Sequence, residues 1–598
     1  MRRNFRFGLF TAALAAASLM PAAAQACGGF FCNRAQPVNQ AAEGIIFADN
    51  GDGTTTAVIQ IQYQGPSKSF SWLLPISSVP KADSDIGIAS NLALQRLQSL
   101  TNPNYTLTTR VEGTCRQDVR QSPSSGSSGG TASTTAGGPL LVPSSGGVTV
   151  EASGVVGAFE WAVISLDASL TKPEDAATDW LTTNGYDVPS GAGSLLGPYL
   201  QDGLYLLALK LTKGADAGSI RPIVLTYEGT EASIPIKLTA VAANPDMGVL
   251  AWILGPSRAV PKNYLSLELN EARINWFNAA STYNSVVIDA ADDAGGQGFV
   301  TEFAGPTSPL ASTVWTQGDQ QGWLNFKARI YTSFDEFFQS AYGQYGAFDG
   351  FWDATRAAVT LPANLAFEDF KLCPNCYAGQ IQFSPATYLA ELEKSVIAPM
   401  KLVQDLIDAH PELTRLYTTL SAEEMTLDPI FTFNADLENV SNVHTAERVI
   451  ECQPDLFQFD APWRIELPQG GVVRGTAADA QNASWPSGLN GLPPNSRIVR
   501  TGATGSGKVV EDNSAPILDQ LATYNAGVPS PTPSPGEGGE GAAGSASVGG
   551  SSGANGAASK SEASGGCNLA VPNTPWWSVV AALALSAAAL RRRQRARR

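Results

Sequence analysis

The segment from Phe159 to Gly255 limits the fold more than any other part of the chain, because β-rich runs crowd it and only one helical stretch interrupts them. "FEWAVISL" leads into "KPEDAATDWLTTNGY", whose acidic first turn and closing Gly185 predict a helix. "GLYLLALKL", "IRPIVLTY", "SIPIKLTAVAA" and "MGVLAWILG" then predict four strands in succession. Strands that follow one another without regular helical crossovers point to an α+β fold rather than a doubly wound sheet.

The flanking sequence fits that class. "DNGDGTTTAVIQIQYQG" after Glu43–Ala48 predicts a hairpin turning at Asp52-Gly53, with Ile59, Ile61 and Tyr63 alternating with glutamines. A helix is expected from Asp85 to Ser99, with others at Tyr283–Ala294, Phe334–Tyr345 and Pro385–His410. Further strands follow Glu451, in "FQFDAPWRIEL" and "GGVVRG". Residues 121–147 are a Ser/Gly/Thr-rich insert, expected to be an exposed loop within the domain because strand-like sequence resumes after it.

The two ends predict export and retention at a membrane. Arg2, Arg3 and Arg6 precede an apolar run ending at Met20, and Ala24-Gln25-Ala26 is a small-x-small cleavage site, so residues 1–26 read as a signal peptide cut between Ala26 and Cys27. Gln25 fits a lipoprotein site poorly, which favours ordinary cleavage over acylation of Cys27. "RRNF" is also similar to a twin-arginine signal, with Arg6 where that signal prefers an apolar residue. Residues 528–566 are Pro, Ser, Gly, Ala and Glu almost throughout, a composition expected to form a flexible tether. Residues 567–598 carry Trp576-Trp577, an apolar stretch to Leu590 and six terminal arginines. As helix, Trp576–Leu590 covers about 22 Å, short of a hydrocarbon core of about 30 Å, so residues back to Leu569 or local thinning must help it span. The arginines are expected on the cytoplasmic side and the body outside. Gly566-Cys567, the short apolar segment and the arginine cluster together resemble myxobacterial-type sorting signals, which implies processing near Cys567 and delivery to the cell surface.

Removing three arginines in the signal and six in the tail from a chain of net charge −16 leaves residues 27–566 at −25. Such a body repels nucleic acid, and no nucleic-acid partner is expected. The same span holds Cys27, Cys32, Cys115, Cys373, Cys376 and Cys452. An even set in an oxidising compartment reads as three bridges among fifteen pairings, and local pairing of Cys27 with Cys32 and of Cys373 with Cys376 would leave Cys115 for Cys452. "CPNC" at Cys373 reads as a structural disulfide, since the "YAGQIQF" after it alternates like a strand and offers no helix to activate a thiolate. A zinc knuckle with Cys27 and Cys32 as the second pair is the other structural reading; no metal or cofactor is assigned.

Several ordered motifs resemble one family. "CGGFFC", "IQIQYQG", "SFSWLLPIS", "NGYDVP", "IPIKLTAVAANPDMGVLAWILG", "AVPKNYLSLELNEARINWF" and "GGQGFVTEFAG" are similar to the bacterial exported family catalogued as domain of unknown function 2330. The resemblance covers residues 27–410 apart from the insert, and it implies no activity or ligand, because the family has none established. Residues 411–527 then read as a β-containing extension.

No catalytic set stands out. His410 and His444 are the only histidines, and His410 ends a helix, where a cation complements the dipole. "GSSGG" and "GGSSG" fit a nucleophile elbow only in low-complexity tracts, and "GATGSGKV" has Val509 where a phosphate loop needs Ser or Thr. "DNGDGT" has glycines at ligand positions of a calcium loop, and Asp289, Asp292 and Asp293 read as a solvated helix end. Asn263, Glu268, Asn270, Glu271, Arg273 and Glu302 mix charge with aromatic neighbours, which buried ion pairs and hydrogen-bonded amides explain. The expected protein is a non-enzymatic, membrane-anchored surface or envelope module binding an unknown partner or polymer. The alternative is an exported carboxylate-dependent hydrolase using acids such as Glu268 and Glu302; that pair would have to face each other across an open cleft rather than lie buried against Arg258 or Arg273.

Overall fold

The computed structural model describes residues 39–528 except 65–69, 82–84, 117–146, 168, 189–190, 213–219 and 242. The predicted signal, Cys27, Cys32, nearly all of the 121–147 insert, the tether, Gly566, Cys567 and the terminal apolar segment lie outside the described residues.

All nine residues of the strand Met247–Gly255 are buried. Val249, Ala251 and Ile253 enter one core, with Ile45, Phe47 and Ile59, while Leu250, Trp252 and Leu254 enter another on the opposite face. Burial on both faces is why this strand reads as one continuous apolar run. It lies inside a mixed ten-stranded sheet, whose order is Lys508–Asp512, Asn495–Arg500, Leu265–Leu269, Gly298–Pro306, Glu412–Leu420, Met247–Gly255, Asn39–Asp49, Thr54–Gln64, Ile223–Glu228 and Ile86–Ile88. The predicted hairpin is formed by Asn39–Asp49 and Thr54–Gln64. Its turn is fixed by Asp52, whose carboxylate accepts bonds from the backbone N–H (2.9 Å) and hydroxyl (2.6 Å) of Thr54.

Two further layers cover this half of the sheet. On one face sits an antiparallel sheet ordered Ser71–Ile76, Tyr205–Leu211, Phe159–Leu166, Val148–Val156. It turns Trp72, Leu74, Phe159 and Leu209 inward, and Leu73, Ile164, Leu206 and Ala208 outward onto the helices Pro173–Thr183 and Ala192–Gln201. On the other face an aromatic-rich helical layer holds Trp323, Phe337, Tyr345 and Tyr388. Thr316 and Asp319 start one of its helices, Gln317–Ala328, with a reciprocal capping box.

Three expectations are corrected. The helix predicted over Asp85–Ser99 is a strand, Ile86–Ile88, followed by the helix Asn91–Thr101. The isoleucines pair with Ile223–Leu225, and the helix start is held by the distant Asp349, whose carboxylate accepts from Leu92 N–H (3.1 Å) and Ser90 Oγ (2.9 Å). In "SIPIKLTAVAA" only Ser233 belongs to a strand, as the end of Ala232–Ser233; Pro235 then starts the helical turn Ile236–Thr239, and Asp428 accepts from Lys237 N–H (3.0 Å). After Cys373 the chain forms a 3₁₀ helix, Pro374–Gln380, and the strand is reduced to Gln382–Phe383.

The long helix expected over Pro385–His410 is present as Pro385–Leu392 and Ala398–Ala409, joined by a π-helical segment, Glu393–Ile397. Pro399 has no N–H for the carbonyl of Ser395 four residues earlier, so the regular ladder is interrupted there.

At the other end of the large sheet, Val443–Glu451 runs parallel to Asn104–Glu112 over nine residue pairs, in a four-stranded sheet completed by Trp463–Glu466 and Val472–Gly475. The helices Tyr283–Asp293 and Ser514–Gly527 share the core beneath it. Glu412–Leu420 pairs with both Met247–Gly255 and Gly298–Pro306. The sheet therefore continues across position 410, the expected limit of the family-like domain.

Candidate functional site

Glu302 and Glu268 lie on neighbouring parallel strands with Leu267 opposite Val300. That register puts Glu268 beside Thr301, and Glu302, one residue further, projects to the opposite face. Their environments differ as sharply: the Glu268 side chain is 46% exposed and pairs with Arg497 (3.3 Å), whereas that of Glu302 is 2% exposed. A shift in pairing between Thr301 and Phe303 marks a bulge at Glu302. Its carboxylate accepts from Arg415 Nε (2.5 Å) and from the Tyr283 hydroxyl. Arg415 also donates to Gln98 O and Thr101 Oγ1, both at 3.1 Å. Glu268 and Glu302 therefore cannot serve as the acid pair of a hydrolase: they face different ways, and Glu302 is held in a hydrogen-bonded ion pair, with Arg415 rather than Arg258 or Arg273.

Around Glu302 the core is polar and aromatic. His444 Nδ1 lies 2.6 Å from Glu271 Oε1, and the His444 ring stacks on Tyr105 with centroids 4.5 Å apart. Burial pushes the Tyr105 and Tyr283 phenols well up, reinforced by Glu271 and Glu302 at Tyr105 and by Glu302 at Tyr283. The other sequence candidates serve the fold. Asn270 caps the turn Glu271–Arg273, Asn263 bridges Asp428 O and Ile430 N–H, and Arg273 pairs with Asp289. His410 places Nδ1 and Nε2 against the carbonyls of Leu406 (2.7 Å) and Asp49 (2.9 Å), so neither nitrogen is available as a base.

Cys115 is bonded to Cys452 and Cys373 to Cys376. With their thiols joined, Cys373 and Cys376 cannot serve a zinc knuckle in this state. Among the described residues no group of three or more His, Cys, Asp or Glu side chains could hold a metal ion. Of the acidic helix end, Asp293 accepts from Asn495 (3.0 Å), while Asp292 is raised by partial burial first and by Asp246 and Asp289 next. A carboxyl raised on folding holds more protons in the native state, so its contribution to stability is lost as pH climbs through and above the ordinary carboxylate range. Asp292→Asn is therefore expected to raise the melting temperature at pH 7 and to have no such effect near pH 3. The gain is below about 1 kcal/mol after solvent screening, and thermal scans at the two pH values measure it.

A cleft lies between the two sheets. Its volume is about 430 Å³. Ile45, Phe47 and Ile59 from the large sheet face Trp72 and Leu74 from the small one, and polar groups gather at one side: Tyr199, Glu228, Glu231 and Asp428. The Tyr199 hydroxyl donates to Asp428 (2.6 Å), and burial together with Asp428 holds that phenol far above its ordinary range. Each acid there also meets a lysine: Lys237 with Asp428 (3.3 Å), Lys81 with Glu228 (3.2 Å) and Lys262 with Glu231. The edge is therefore polar but close to neutral, while the walls are apolar, the usual composition of a small-molecule site. Sequence reasoning did not find this cleft. Its strands were legible, but Asp428 and Tyr199 reach it from segments with no local signal.

Fold and cleft together define a layered α+β protein with a ligand-sized apolar cavity between two sheets. Residues 21–318 match the family model described as "Uncharacterized protein conserved in bacteria (DUF2330)", the family to which this part of the chain is similar. No curated protein and no solved structure matches.

Proposed function

We propose that this chain is an exported envelope protein, held at a membrane by its C-terminal segment, whose folded body binds a small, mainly apolar molecule between its sheets. The observation that carries the binding role is the cleft itself, apolar in its walls and polar along one edge. The signal-like start, the tether and the arginine-ended tail support export and anchoring. The disulfide between Cys115 and Cys452 is consistent with an oxidising compartment.

The neutral dye Nile red tests the cleft. The purified protein is expected to bind it saturably with blue-shifted emission, and Ala57→Phe, which places a ring inside the walls, is expected to weaken binding about tenfold or more. Equal binding by a folded Ala57→Phe variant would remove the cleft from consideration. Cell fractionation tests the location: recovery of the body in the soluble cytoplasm with free thiols contradicts it.

A further inference from the structure

The cleft also borders a strand that lacks a mate on one side. Ser71–Ile76 is the outermost strand of the small sheet and pairs only with Tyr205–Leu211. Six consecutive residues, Trp72, Leu73, Leu74, Pro75, Ile76 and Ser77, line the cleft. Neighbouring residues of a strand turn to opposite faces, and here Trp72 and Leu74 enter the core between the sheets while Leu73 enters the one beneath the helices. A cleft that meets all of them runs along the unpaired side of the strand, for roughly 17 Å at about 3.3 Å per residue.

The hydrogen bonds fix which backbone groups face that side. Just beyond the ends of the strands Phe159–Leu166 and Tyr205–Leu211, Thr212 N–H donates to Ala158 O (2.9 Å). Antiparallel bonding alternates, so the even-numbered residues of Tyr205–Leu211 bond toward Phe159–Leu166 and the odd-numbered ones toward Ser71–Ile76. Opposite Leu209, Leu207 and Tyr205 stand Trp72, Leu74 and Ile76, whose backbone groups are thereby engaged. Those of Leu73 and Pro75 point the other way, along the cleft. Pro75 fits this arrangement, since a proline in an outermost strand keeps its nitrogen on the side without a partner. Leu73 is 2% exposed, and among the described residues neither its N–H nor its C=O has a hydrogen-bond partner. Buried backbone groups are almost always paired, so Leu73 calls for a partner that brings one acceptor and one donor together.

We infer, on the proposed reading of the cleft as a binding site, that it takes an extended apolar peptide segment, which adds to the small sheet beside Leu73 and bonds to its N–H and C=O. The side chains flanking the residue opposite Leu73 then fall on the face of Trp72 and Leu74, where the walls are apolar. An apolar molecule without an amide would fill the same walls and leave Leu73 unpaired.

Displacement of Nile red from the purified full-length protein by acetyl-Ile-Thr-Ile-amide tests this, and the peptide is expected to displace the dye saturably. The N–H groups of the threonine and of the second isoleucine point to opposite sides of an extended chain, so N-methylation of one is expected to weaken the peptide about tenfold and of the other to leave it unchanged. Pro75→Ala supplies one more donor on the unpaired side and is expected to tighten the peptide about fivefold with no change for Nile red. Saturable dye binding that the peptide does not displace, equal effects of the two methylations, or unchanged peptide affinity in folded Pro75→Ala each overturns the peptide assignment and leaves the cleft as an apolar site. Absence of dye binding, or equal dye binding by folded Ala57→Phe, removes the cleft itself.

Discussion

Arg415→Met is expected to destabilise the folded body by about 3–5 kcal/mol, because it leaves the Glu302 carboxylate buried without its countercharge. The guanidinium and the carboxylate are 5% and 2% exposed, so water cannot replace either partner. Losing Arg415 also strips donors from Gln98 O and Thr101 Oγ1 and removes the cation packed over Trp252 at 5.8 Å. The penalty is that of an orphaned charge rather than the worth of the pair, so Arg415→Met with Glu302→Leu is expected to recover most of the loss. Urea unfolding of the wild type, both single variants and the double variant measures this. A single Arg415→Met as stable as the double variant would show that Glu302 is not held as an ion.

The second large effect belongs to the disulfide between Cys115 and Cys452, which closes 337 residues of sequence separation. On the chain-entropy model a loop of that size contributes about 6 kcal/mol, whereas the short Cys373–Cys376 loop contributes about 2. The bond sits just beyond the paired ends Glu112 and Glu451, so it locks a parallel pair already in register. Arg464 reinforces the same end, bonding Glu112 and Glu451 at 2.9 Å. The Glu112 carboxyl is drawn down to about 2, chiefly by Arg464 and then by Arg110. Gly113 is required here, with φ +79 and space for a Cβ only 2.4 Å from Cys452 O. Cys115→Ser with Cys452→Ser is therefore expected to lower the melting temperature far more than Cys373→Ser with Cys376→Ser. Equal shifts in the two double variants would mean that the long loop is already constrained by the strand pairing.

Much of the β framework could be read locally. Met247–Gly255 is apolar on both faces, Asp52-Gly53 turns a hairpin of alternating residues, and Phe334–Tyr345 has helical periodicity with Ser333 at its start. What failed depended on distant partners. Asp349 begins the helix Asn91–Thr101, Ile223–Leu225 draw Ile86–Ile88 into a strand, and Pro235 with Asp428 turns a β-rich run into a helical turn. The polar residues of "KNYLSLELNEARINWF" were recognisable as unusual, but not their assignments, because Arg415 and His444 come from beyond the recognised motifs. The cleft escaped notice for the same reason: it is a space between layers.

The place of Glu412–Leu420 has a consequence for how the chain is made. Until that segment leaves the ribosome, Met247–Gly255 and Gly298–Pro306 each present an open row of N–H and C=O groups with no mate. The nascent polypeptide thus passes through a stage with two sticky borders exposed, which stay open to wrong pairing until synthesis has gone beyond Leu420.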